Sequence, residues 1–155
     1  MRCQSGLAFF VSLVGMVGST LGQETARLSP LDNRPGWNAV YELRFVASDT
    51  LSSRARFEVI LPAGFDVSGV QLASSRIMDG GFAVKVAQDT VRIFRSGEGK
   101  SLPPGTAIDL LFAAVKNPKE LPSALQATVR VFGDSAAPPQ VLMIAVSGGT
   151  IRAER

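Results

Sequence analysis

From Ala39 onward, apolar and polar residues alternate along the chain, and short groups of turn residues interrupt the alternation. Ala39, Tyr41, Leu43, Phe45 and Ala47 fall on one side of an extended chain, with Glu42, Arg44 and Ser48 on the other. Phe57, Val59 and Leu61 alternate with Arg56, Glu58 and Ile60; Phe82, Val84 and Val86 alternate with Ala83 and Lys85; Val91 and Ile93 flank Arg92. Two more rows are Ile108, Leu110, Phe112 and Ala114, and Leu125, Ala127, Val129 and Val131. Alternation of this kind predicts strands with one buried and one wet face. The segment 140–147 differs, because Val141, Met143 and Ala145 oppose Leu142, Ile144 and Val146. It predicts a central strand buried on both faces, the alternative being an outer face that docks a partner.

The separators are turn chemistry. Asp79-Gly80-Gly81 predicts a tight hairpin into Phe82, and Gln88-Asp89 a short turn between two strands. Pro62-Ala63-Gly64, Pro103-Pro104-Gly105, Asn117-Pro118 and Pro138-Pro139 each bar an ordinary strand from continuing. About seven or eight short strands at this spacing, with no convincing helical stripe, predict an all-β antiparallel sandwich. If the strands at 39–48 and 55–61 pair, registers joining Glu42 to Arg56 or Arg44 to Glu58 are favoured over those opposing like charges.

The N-terminus reads differently. Arg2 precedes an apolar run from Leu7 to Val17, and Thr20 and Gly22 supply small residues at −3 and −1 of a cut. This predicts a secretory signal peptide over 1–22 and a mature chain starting at Gln23. The run is shorter than the roughly 20 apolar residues of a permanent span, and the mature chain is expected to hold no membrane span. Residues 23–36, with Pro30 and Pro35, are expected to form a polar leader. The domain is expected over 37–148, with a short tail over 149–155. The expected location is secreted, periplasmic or cell-surface.

Composition narrows the chemistry. The single cysteine, Cys3, precedes the apolar run, and histidine is absent. A mature chain from Gln23 therefore has no disulfide, thiol nucleophile, imidazole base or His/Cys zinc site. No cofactor and no metal are expected. Removing Arg2 leaves 15 Lys+Arg against 13 Asp+Glu, so the pI of about 9.5 overstates the basicity. The chain has no dense basic stripe, and nucleic acid is not an expected partner.

Three segments together resemble a known group. Phe57-Glu58-Val59-Ile60-Leu61-Pro62-Ala63-Gly64-Phe65-Asp66 is similar to the "strand, Leu-Pro-x-Gly-Phe" element of immunoglobulin-like modules in bacterial and archaeal secreted, surface and S-layer-type proteins. Leu102-Pro103-Pro104-Gly105-Thr106 before Ile108 is similar to their "Pro-x-Gly-Thr, strand" element, and Val115-Lys116-Asn117-Pro118 to their "Val-x-Asn-Pro, gap, strand" element. Order and spacing agree from Val40 to Val131, except that Ser123-Ala124-Leu125 stands where such modules often carry Gly-x-Tyr. The resemblance implies an immunoglobulin-like sandwich used for display, assembly or adhesion, with no catalytic residues to carry over.

Candidate sites follow. Trp37, after Pro35-Gly36, is expected to plug one end of the sandwich; exposed, it would be a platform for a sugar ring or a protein-interface anchor. Lys85, Arg92 and Arg95 would form a small positive patch if their strands make a hairpin, with a solvated outer face as the plainer reading. Asp109, inside an apolar strand, is expected on an exposed edge. Asp49, Asp66, Asp79, Asp89, Glu98 and Asp134 read as turn formers. The expected function is a non-enzymatic, exported interaction or structural module whose partner is another envelope or extracellular protein. The alternatives are a Trp37-dependent carbohydrate-binding module and, more distantly, a carboxylate-based hydrolase.

Overall fold

The structure is a computed structural model and describes residues 26–120, 125–133 and 137–146. The described residues form nine strands: β1 (Arg27–Pro30), β2 (Asn38–Val46), β3 (Arg56–Ile60), β4 (Leu72–Ser74), β5 (Phe82–Ala87), β6 (Thr90–Arg95), β7 (Ala107–Lys116), β8 (Gln126–Phe132) and β9 (Gln140–Ala145). They form two antiparallel sheets, one ordered β1-β2-β7-β4 and the other β5-β6-β3-β8-β9. The all-β, two-layer arrangement is the one the alternation predicts.

The predicted inward rows meet between the layers. Tyr41, Leu43, Phe45, Ile108, Leu110 and Phe112 of one sheet are buried against Phe57, Val59, Val91, Ile93, Val129 and Val131 of the other. Phe45 and Phe57 touch across the layers with ring centroids 6.3 Å apart, and Tyr41 stacks on Phe112 within its own sheet at 6.0 Å. The row Phe82, Val84 and Val86 is only half-buried, because β5 closes an edge of its sheet.

Two strands escape the alternation. β1 lies in the segment expected to be a loose leader, so the sandwich begins ahead of residue 37. Leu28 is its only fully buried side chain, and Pro30 is tolerated because β1 is an edge strand. β4 has three residues, too few to show a period. Asp79-Gly80-Gly81 is not a hairpin turn but part of the crossing from β4 in one sheet to β5 in the other. Gly80 has φ +85°, and a Cβ there would stand 2.3 Å from the Glu98 carbonyl oxygen, which excludes other residues. The Gln88-Asp89 turn does join β5 to β6.

β2 and β3 lie in different sheets, so the expected ion pairs between them do not form. The charges are matched elsewhere: Arg44 opposes Asp109, and Glu58 lies between Arg92 and Arg130. β9 corrects another expectation. It is an edge strand rather than a central one, and Val141 and Met143 are 55% and 64% exposed. Its ends reach the other layer: the Gln140 amide donates to the Val46 carbonyl and accepts from the Ser48 N–H, both at 3.0 Å, while Val146 bridges to Leu28 of β1.

Arg95 ends β6 on its inward parity and is 4% exposed. Its guanidinium donates to the carbonyls of Leu51, Ser52, Asp79 and Lys100 at 2.7 to 3.4 Å, gathering three loops at one end of the sandwich. The Asp79 carboxylate supplies the counter-charge at 3.3 Å. A buried cation that bonds the carbonyls of three loops is expensive to remove. Arg95→Met is expected to cost at least about 3 kcal/mol, read as a lower urea midpoint at unchanged m-value.

Candidate functional site

The end of the sandwich opposite Arg95 is organised by Asn117, which follows β7 and is 3% exposed. Its Nδ2 donates to the carbonyls of Asp32 at 2.9 Å and Arg34 at 3.0 Å. Its Oδ1 accepts from the Tyr41 hydroxyl at 2.6 Å, and its backbone N–H donates to the Trp37 carbonyl at 2.8 Å. Burial pushes the Tyr41 hydroxyl pKa well up, so it stays a donor at any ordinary pH. Asn117 therefore fixes the β1–β2 loop at residues 32 and 34 through its carboxamide and at residue 37 through its backbone N–H.

That loop presents Trp37 outward. Gly36 at φ +73° turns the chain after Pro35, and the indole is 55% exposed. The expected plug is thus not formed; Tyr41, Phe65 and Asn117 fill that end instead. Arg34 lays its guanidinium over one region of the indole, 3.8 Å from the ring centroid. Asp32 holds Arg34 there by accepting from its Nε, its Nη2 and its backbone N–H. Those bonds keep the Asp32 carboxyl below the usual range.

Beside the indole lies an open cleft of about 490 Å³, lined by Trp37, Asn38, Asp66, Ser68 and Lys116 among others. Asp66 and Lys116 are tied through reciprocal backbone hydrogen bonds at 3.1 and 2.8 Å. The Asp66 carboxylate accepts from the Ser68 hydroxyl at 2.6 Å and its N–H at 2.9 Å, which holds its pKa below the ordinary value. The cleft thus offers an aromatic face, a carboxylate, a hydroxyl, a carboxamide and an ammonium within one concavity. Of these, sequence reasoning named Trp37 alone as a binding residue. Asn117 was visible only as part of a turn motif, because nothing in its neighbours reveals a partner 76 positions away.

The other named residues do not join this site. Lys85 and Arg92 oppose each other on the outer face of the β5–β6 hairpin. Arg95 does not belong to that patch: its parity sends it inward. Asp109 is likewise corrected, since β7 runs between β2 and β4 and the carboxylate is 6% exposed. It accepts from the Ser75 hydroxyl at 2.9 Å, the Arg76 N–H at 3.0 Å and the Arg76 Nε. Arg76 also reaches Glu42 at 3.0 Å, as does Arg44.

Burial alone would raise the Asp109 pKa, but the donors from Arg76 and Ser75 outweigh it and hold it below the ordinary value. A depressed carboxyl stabilises the fold above its unfolded pKa, and that contribution fades as pH falls through the folded one. Asp49, Asp66 and Asp89 each take a donor from within two residues, as turn formers do, whereas Asp79 accepts from the Lys100 N–H and Arg95 of other segments. Asp134 lies outside the described residues, as do the expected signal peptide and tail. Among the described residues no three His, Cys, Asp or Glu side chains gather as a metal site, and no helix is long and apolar enough to cross a membrane.

Two outcomes are expected. Asp109→Asn should cost about 1–3 kcal/mol at pH 7, and the gap from the parent chain should close below about pH 4, measured by urea unfolding across pH. Asn117→Ala should free the loop, and because Trp37 is the only tryptophan, its fluorescence anisotropy should fall while far-ultraviolet circular dichroism keeps its β signature.

No protein-family model matches the chain, and a comparison with characterised proteins gave no sequence match. Solved structures do match. The full-length major pilin SpaD of Corynebacterium diphtheriae aligns with a TM-score of 0.52 at 15% identity, over 77% of this chain and 33% of the pilin. The chain thus spans about a third of that pilin's length. A Nocardia farcinica protein described as having an immunoglobulin-like fold aligns at 17% identity over 78% of this chain and 98% of that one, with a TM-score of 0.45. The collagen-binding domain of a Staphylococcus aureus adhesin aligns at 8% identity over 79% and 95%, with a TM-score of 0.42. The chain has the immunoglobulin-like β-sandwich fold of bacterial surface-protein domains.

Proposed function

We propose that the chain is an exported, non-enzymatic interaction module of the cell envelope or extracellular space, and that it holds its partner through the Trp37 end. The observation that carries this reading is a half-exposed tryptophan on a loop whose backbone is already fixed by Asn117. Ordering an interface costs affinity, so a large aromatic fixed beforehand is a strong anchor. The leader-like N-terminus and the pilin-like fold support an extracytoplasmic setting. The loop carboxylates occupied in their own turns support a role without catalysis. The partner is another envelope or extracellular protein.

A second reading has its own support in the polar cleft beside the indole. A sugar ring stacked on Trp37 would find Asp66, Ser68, Asn38 and Lys116 within the same concavity. Trp37→Ala separates these readings from a purely structural role. The variant should fold normally yet lose at least about 2 kcal/mol of partner binding, roughly thirty-fold, in a pull-down from the native envelope followed by titration. Wild-type capture by Trp37→Ala would sink the assignment. A blue shift of the Trp37 emission with neutral oligosaccharides, and none with the captured protein, would select the glycan.

A further inference from the structure

The outer face of the five-stranded sheet carries a pattern independent of the Trp37 end. In register across four strands stand Lys85 of β5, Arg92 of β6, Glu58 of β3 and Arg130 of β8. In the adjacent row Arg56 lies between Phe94 and Phe132, its guanidinium 3.9 Å from the Phe132 centroid. Four cations against one carboxylate give this face +3, which equals the formal charge of the whole chain. For a mature chain from Gln23, at +2, the remainder sums to −1, so the net positive charge resides on this face.

The single carboxylate does not consume those cations. Arg92, Arg56 and Arg130 approach Glu58 at 3.4, 3.7 and 3.8 Å, all around one side chain that is 13% exposed. A guanidinium has five donors in a planar fork, and one carboxylate cannot meet three forks. Glu58 instead draws the three side chains together over the sheet, and Arg56, Arg92 and Arg130 stay 39, 44 and 48% exposed, which leaves donors for a ligand. Arg56 Nε has no hydrogen-bond partner. Beyond it, Arg54, Ser52 and Ser53 line a cavity of about 530 Å³ that continues the basic strip.

We infer that this face binds an anionic polysaccharide, a chain carrying carboxylate or sulfate groups laid across the strands. Neighbouring strands are about 4.8 Å apart, so Lys85 and Arg92 stand about one sugar unit from each other, and Arg130, on the far side of Glu58, about two from Arg92. Carboxylate and sulfate both accept the paired donors of an arginine fork. Nucleic acid fits less well, because Arg56 caps Phe132 at 3.9 Å and Phe94 is only partly exposed, with the Lys85 ammonium 5.9 Å from its ring, so neither offers a free platform for a base. A bilayer fits less well too, because the exposed Val141 and Met143 stand only at one end of the face, on the edge strand β9, where Val141 opposes Arg130, and no large exposed apolar side chain lies between the cations of the other strands.

The test is binding of the mature chain to heparin, to polygalacturonate and to neutral dextran at several salt concentrations. Binding is expected to the two anionic chains and not to dextran, and the preference between them identifies the anionic group. The paired substitution Arg92→Gln/Arg130→Gln should weaken binding at least tenfold and lower the salt slope by about one to two units. Glu58→Gln, which removes the one negative charge of the face, should strengthen it several-fold, and Trp37→Ala should leave it unchanged. Unchanged affinity in the arginine pair overturns the inference, as does weaker binding in a Glu58→Gln protein with an unaltered melting curve. Equal or tighter binding of single-stranded DNA, or of phosphatidylglycerol vesicles, at the same salt overturns it as well.

Discussion

Everything in this molecule depends on two rows of alternate side chains meeting between two sheets. Phe45 against Phe57, with Tyr41 and Phe112 beside them, forms the centre of that contact. No cysteine lies in the described sheets or loops to cross-link them, so packing and polar contacts hold the layers together. Where the sheets end, the backbone groups of the loops must still find partners. Asn117 meets that need at one end and Arg95 at the other, each buried and each bonded to segments far away in sequence.

The two hubs have different consequences. Arg95 spends its donors on carbonyls, so it is structural even though its sequence neighbourhood looks like a basic patch. Asn117 also spends its side chain on the backbone, but the loop it fixes projects Trp37 into solvent. Rigidity at the base of that loop and exposure at its tip are thus produced by one residue. The Asp32–Arg34–Trp37 set adds a second layer of order, because the ion pair keeps a cation over the indole.

Charge is organised with equal economy. On the four-stranded sheet, Asp109 and Glu42 are matched by Arg76 and Arg44, and the network pins the chain just after β4 to its neighbours. On the five-stranded sheet, Glu58 faces three arginines and leaves an excess of positive charge. The two outer faces therefore differ: one is nearly neutralised and the other is not. A chain whose charges almost cancel overall can still present a strongly basic side.

The strands β2, β3 and β5 through β9 were legible in the sequence, because a period of two is a local consequence of one face being buried. The inward position of Tyr41 was legible for the same reason, and the turn roles of Asp49, Asp66 and Asp89 because a short carboxylate takes a donor from the residues just after it. Pairing partners were not: β2 and β3 are neighbours in sequence but belong to different layers, and no local pattern records that. The same limit hid the burial of Asp109 and the exposure of β9. Each depends on which strand lies beside it, or on whether it is an edge. The inward turn of Arg95, by contrast, follows the parity of Val91 and Ile93, and only the loops it reaches were hidden. β1 and β4 were too short, or too polar, to carry a period at all. Trp37 was visible as an unusual residue, but its exposure was decided by Asn117, whose hydrogen bonds close only after the sandwich has formed.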